Sequence, residues 1–307
     1  MKRISALLLT LSLLLSLTCG CTPKDTSGDR LSVVCTIFPA FDFARAVAGD
    51  LIELELLIDP GEEVHTFDPT PQDMRRITDC DLFICNGGTS DGWVDTLLSG
   101  DADCSVVRMM ECVDTLCAAS EEHADHAGHD HGEYDEHVWT SPRMAENIVR
   151  GISDALCRVD PENADTYRSR AESYCGELRI LSDLLQAAVM GGTRRTLIFG
   201  DRFPMLYFTE QLGLEAFSAF PGCAADTEPS AATVAALIDR VKADAIPAVL
   251  KCELSSGLVA DAIAEATGTK VLTLHSCHNV TAEEYARGET YLSLMNKNVT
   301  VLTEALK

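Results

Sequence analysis

Four histidines stand apart in this chain: His65, His137, His275 and His278. Each lies at the end of a short apolar run or at a loop exit, and none sits on an apolar helix face. Two carboxylates share that placement, Asp201 after Thr196–Phe199 and Glu253 after Ala245–Leu250. In open parallel sheets, ligands bind beyond the carboxyl ends of the strands. A set of imidazoles and carboxylates on one such rim can hold a divalent ion. Three imidazoles with one carboxylate form a tetrahedral, borderline-soft site that suits Zn²⁺. Two imidazoles with two carboxylates shift the preference toward Mn²⁺ or Fe²⁺. The enzymatic rival, a secreted metallohydrolase, would need a general base beside an open coordination position. No HExxH occurs to supply one.

The other four histidines fall in one tract. Residues 121–136 read EEHADHAGHDHGEYDE and hold His123, His126, His129 and His131 among seven acids. Such a composition buries too little apolar surface to order itself, so it reads as a mobile loop. His-rich acidic tracts bind divalent ions weakly, which makes this an auxiliary metal loop.

The elements that must position the rim histidines alternate between strand and helix. Apolar runs at Leu31–Ile37, Ile52–Ile58, Leu82–Cys85 and Ser105–Met109 read as strands. Helical spacing lies between them at Phe41–Ala48, Pro71–Thr78 and Trp93–Leu98. The pattern repeats with strands at Thr196–Phe199, Glu215–Ala219, Ala245–Leu250 and Lys270–Leu274, and helices at Pro204–Leu212, Ser230–Val241 and Gly257–Ala266. Alternation of this kind builds parallel sheets covered by helices, here as two α/β lobes. Pro142–Met190 shows no strand signal. Tyr167, Ala171, Tyr174, Leu178, Leu181, Leu185 and Val189 recur at helical spacing behind Asp160 as cap and Pro161 as first residue. That stretch reads as one helix of about 30 residues, roughly 45 Å long, or as two packed helices with a break.

Composition narrows the partners. The 307 residues carry 24 Lys+Arg against 48 Asp+Glu, a formal net charge of -24. A surface this acidic repels phosphate and excludes nucleic acid as a partner, while its field attracts cations. Lys2 and Arg3 precede an apolar run from Ile4 to Leu17, the signature of a secretory signal peptide. Leu17-Thr18-Cys19-Gly20-Cys21 resembles a bacterial lipobox, which implies cleavage before Cys21 and lipid on its sulfur. The chain has 13 cysteines, and 11 remain beyond Cys19 and Cys21. Cys35, Cys85 and Cys252 lie inside apolar runs and read as small buried hydrophobes. Cys223 and Cys277 follow second-lobe strands, where a disulfide near the cleft is the alternative to free thiols.

Several segments, in order, resemble the metal-binding solute-binding proteins of ABC transporters, and within them the zinc-uptake members. They are TIFPAFDFARAVAGD, VHTFDPTPQDM, DLFICNGGTSDGWVDTLL, and the His-rich tract followed by HVWTSPRMA. The resemblance implies two Rossmann-like lobes with parallel sheets, a long rigid helix joining them, and a metal site in the cleft. It places the first two ligands at His65 and His137. The second lobe departs from the family's pattern: Phe199-Gly200-Asp201-Arg202 holds no histidine, and His275 stands where a carboxylate is usual. An exchange is therefore expected, with His275 as third imidazole and Asp201 or Glu253 as a further ligand. His278 ranks behind His275 and can equally face solvent.

The domain layout that follows is residues 1–20 as lipoprotein signal peptide, 21–30 as tether, and 31–141 as N-terminal lobe. Residues 142–192 form linking helices and 193–307 the C-terminal lobe. The function implied is extracytoplasmic capture of Zn²⁺ and delivery to an ABC permease by a monomer anchored to membrane lipid through Cys21. It is not an enzyme. The alternatives are a manganese- or iron-binding member of the same family and a surface adhesin.

Overall fold

Alternate residues along the central strands of this chain are apolar on both sides, which forces each sheet to be covered twice. The computed structural model describes residues 30–98, 104–114, 117, 134–220 and 229–307. The signal and lipobox segments, the four histidines of the acidic tract and Cys223 lie outside these residues.

The first sheet holds β1 (Leu31–Cys35), β2 (Ile52–Leu56), β3 (Leu82–Cys85) and β4 (Ser105–Arg108), all parallel, in the order β2-β1-β3-β4. Helix α1 (Phe38–Ala48) connects β1 to β2, α2 (Pro71–Asp79) connects β2 to β3, and α3 (Gly92–Leu98) follows β3. Val34, Phe83 and Cys85 face out onto Ile77 of α2 and Val94 of α3. Val33, Cys35, Leu82 and Ile84 face in, toward α1 and α4 (Pro142–Val159). The next helix, α5, runs Ala164–Gly191 over 28 residues, about 42 Å at 1.5 Å per residue.

The second sheet repeats the plan with β5 (Thr196–Phe199), β6 (Glu215–Ser218), β7 (Ala248–Lys251) and β8 (Lys270–Thr273), parallel, in the order β6-β5-β7-β8. Helix α6 (Leu206–Leu212) follows β5, α7 (Ala231–Ala243) precedes β7, and α8 (Leu258–Thr267) precedes β8. Ile198 and Val249 face Leu237 and Ile263 on the outer side. Leu197, Phe199 and Leu250 face inward, into the cluster that also contains the buried face of α5. Two helices close the chain, α9 (Ala282–Ala286) and α10 (Tyr291–Ala305).

The seven apolar positions expected on one face of the long helix are all buried. Its start differs. Pro161–Asn163 form a 3₁₀ turn, and the α-helix begins at Ala164 with no side-chain cap. Asp160 instead accepts hydrogen bonds from Asn163 Nδ2 at 2.7 Å and Tyr167 Oη at 2.6 Å. Asp160 holds the N-cap position of that turn, ahead of Pro161. Helix α4 does more than link, because its Ala145, Ile148, Val149, Ile152 and Leu156 complete the core under the first sheet.

Candidate metal centre

Both sheets reverse strand order beside their first strand, and the side chains of interest emerge at the carboxyl ends around those switch points. His65 stands in the segment after β2. His137 precedes a 3₁₀ turn, Val138–Thr140, that leads into α4. His278 lies in the loop after β8. Among the described residues these three histidines form the one group able to share an ion, with ligand atoms all within 4.8 Å of one another. Their ring centroids lie 5.7 Å apart for His65–His137, 4.8 Å for His65–His278 and 5.1 Å for His137–His278.

Each ring is held by neighbours. Asp135 Oδ1 accepts from the His137 backbone N–H at 2.9 Å and lies 3.0 Å from Nδ1. A carboxylate accepts only, so Nδ1 carries the proton and the lone pair lies on Nε2, the arrangement typical of a metal-ligating imidazole. His65 Nδ1 lies 3.1 Å from Ser90 Oγ. Ser90 is fixed in turn by its N–H to the Glu136 carboxylate. His278 packs against the Trp139 indole at 4.8 Å between centroids. Trp139 is fully buried; its Nε1–H donates to Ser276 O at 2.9 Å, and its carbonyl accepts from Tyr291 Oη at 2.7 Å. These bonds tie the first-lobe histidines to the loop carrying His278. Asn279 adds to the tie, donating to Asp59 O and Glu62 O at 2.9 and 3.0 Å.

Burial lowers the pKa of His65 below its ordinary value of 6.5, and the neighbouring His137 lowers it further. His278 is pushed well below that value by burial, then by His137 and His65. Both shifts favour the neutral imidazole at His65 and His278, the form that coordinates metal.

His275, expected as the third imidazole, is not in this group. Its Nδ1 accepts the Cys277 N–H at 2.9 Å, and its backbone N–H and C=O both bond Asn298. Cys277, buried and at φ 61°, turns the chain through the left-handed region, so His278 projects toward His65 and His137. The two expected carboxylates are also committed elsewhere. Asp201 accepts from Arg202 N–H at 2.8 Å and Cys252 N–H at 2.9 Å. Glu253 accepts from Ser276 N–H, Ser276 Oγ and His278 N–H. Cys277 is a free thiol, and its burial raises its pKa well above the usual range, which disfavours a thiolate ligand. Beside the three histidines lies a cavity of about 440 Å³ whose walls include His65, His278, Asp201, Arg202 and Glu63. An Arg202–Glu63 ion pair of 3.1 Å crosses it.

Two parallel-sheet lobes with three imidazoles converging between them define a two-lobed protein with a candidate metal site in its cleft. The chain belongs to the family described as zinc-uptake complex component A, periplasmic, which it matches over residues 33–305. It is similar to the zinc-binding lipoprotein AdcA of Streptococcus pneumoniae, 30% identical over 310 residues, 99% of this chain and 61% of that one. It thus spans about three fifths of that relative's length. The high-affinity zinc uptake system protein ZnuA of Bacillus subtilis is 29% identical over 298 residues, covering 92% of this chain and 89% of the relative. The crystal structure of the Zn(II)-bound ZnuA-like domain of S. pneumoniae AdcA superposes with a TM-score of 0.75 at 27% identity, covering 91% of this chain and 99% of the domain.

Proposed function

We propose that this chain is the extracytoplasmic solute-binding component of a metal ABC transporter, that it captures Zn²⁺ between its lobes, and that it hands the ion to a membrane permease. The observation that carries the reading is the meeting of His65, His137 and His278, far apart in sequence, within 4.8 Å. Three imidazoles suit zinc better than manganese or iron, which favour more oxygen donors. The family and the zinc-binding relatives support the same ion. No bond in the ion is made or broken, so the protein acts as a carrier and not as an enzyme. In this reading residues 1–20 are a signal peptide and Cys21 carries the lipid anchor. Residues 21–30 are then the tether, and His123, His126, His129 and His131 gather zinc at low affinity. The lobes, residues 31–141 and 193–307, enclose the ion, and the helices of 142–192 limit their motion.

The test is growth of a deletion strain in zinc-depleted medium. Restoration by the intact gene but not by His65→Ala, with one zinc per chain in the purified protein, is the expected result. Equal restoration by both, or a protein that retains manganese in preference to zinc, would overturn the reading.

A further inference from the structure

We propose that Glu253 is a positioning residue for zinc capture: its buried carboxylate sits in a pocket of donors made by the left-handed turn at Cys277 and thereby sets the His278 imidazole against the other two histidines. This rests on the reading of His65, His137 and His278 as the zinc ligands.

The Glu253 side chain is 7% exposed although it stands at the end of a strand facing a cleft. A carboxylate so desolvated needs strong partners. It has them in one short loop: Oε2 accepts the Ser276 N–H at 2.7 Å, and Oε1 accepts Ser276 Oγ at 2.5 Å and the His278 N–H at 3.2 Å. Backbone N–H groups on either side of a left-handed residue form a concave anion-binding nest. Cys277 is that residue, a non-glycine at φ 61°. Such a conformation costs free energy and persists only where its surroundings over-determine it. The carboxylate is the group that repays it, by collecting N–H groups that an extended backbone would point to opposite sides. His275 joins the same cluster: its Nδ1 accepts the Cys277 N–H at 2.9 Å and lies 3.5 Å from Glu253 Oε1. Two of the three residues expected as ligands of the second lobe, His275 and Glu253, thus shape the loop that presents His278. Glu253 acts through the backbone of a ligand and not on the metal.

The experiment compares Zn²⁺ affinity, by competition with a chromophoric chelator, and the absorption spectrum of the Co²⁺-loaded protein. The variants are Glu253→Gln, Glu253→Ala, His278→Ala and His65→Ala in the mature chain. Glutamine keeps the shape but turns one acceptor into a donor facing N–H groups, so it carries the test if alanine lowers the yield of folded protein. The expected result is a loss of about tenfold to a hundredfold for Glu253→Gln, still one ion per chain, and the Co²⁺ band shape of the unmodified protein. Unchanged affinity in both Glu253 variants would overturn the proposal. So would a Co²⁺ spectrum altered in a way unlike that of His278→Ala, the mark of a lost oxygen donor, which would make Glu253 itself a ligand. Unchanged affinity in His65→Ala and His278→Ala would refute the zinc site itself, a failure separable from the first.

Discussion

Replacing His278 with alanine and, separately, His275 with alanine distinguishes two histidines that are three residues apart. Structural zinc sites have apparent binding free energies of about 10–16 kcal/mol, or roughly 2.5–4 kcal/mol per ligand when shared among four. At about 1.4 kcal/mol per tenfold, losing one imidazole lowers affinity by roughly 10²–10³-fold. His278 is one of the three convergent rings, so His278→Ala should show that loss. His275 contributes an acceptor to the Cys277 N–H and none of the ligand atoms. His275→Ala should therefore cost roughly 1–3 kcal/mol of folding stability for a buried donor left unpaired, and at most about tenfold in zinc affinity. Chelator competition gives the affinities and denaturant unfolding of the zinc-free protein gives the stabilities. Equal affinity losses in the two variants would return His275 to the site and refute the assignment of the cleft.

The zinc-free protein should lose stability as pH falls below 6.5. His65 and His278 have lowered pKa values in the fold, so the unfolded chain binds protons first and the stability present above 6.5 is lost toward lower pH. Melting temperatures at pH 7.5 and 5.5 check this, and His278→Ala should flatten the difference. Asp201→Asn should destabilise the protein by about 1–3 kcal/mol, because one of its two backbone donors loses its acceptor. Zinc affinity should stay within tenfold by isothermal competition. Arg202→Ala removes a partly exposed ion pair with Glu63 and should change unfolding free energy by about 0–1 kcal/mol.

Much of the scaffold was legible because its physics is local. Most of the eight strands are rich in Val, Ile, Leu and Phe, β6 with its Glu-Ala-Phe-Ser being the exception, and each shows in the sequence to within a few residues of its observed ends. The long helix displays its buried face at regular spacing from Tyr167 to Val189. The closing helices went unread although their starts are marked: Thr281 with Glu284 and Thr290 with Ser293 form capping boxes. Helix α4 was read as linker alone, yet its apolar positions at 145, 148, 149, 152 and 156 are those of a core-facing helix. In the site, the rim rule was enough to single out His65 and His137 as candidates. The choice between His275 and His278 was not legible. It turns on one non-glycine residue in the left-handed region, stabilised by a carboxylate 24 positions earlier, and no local pattern marks such a turn. The signal available was the pair itself, two histidines at strand-end spacing with a buried cysteine between them.

Zinc K-edge X-ray absorption on the protein loaded with one equivalent of Zn²⁺ tests the central claim most directly. The account predicts a first shell containing three imidazole nitrogens at about 2.0–2.1 Å and no sulfur. A shell with one imidazole or none, or with a thiolate at about 2.3 Å, would contradict it.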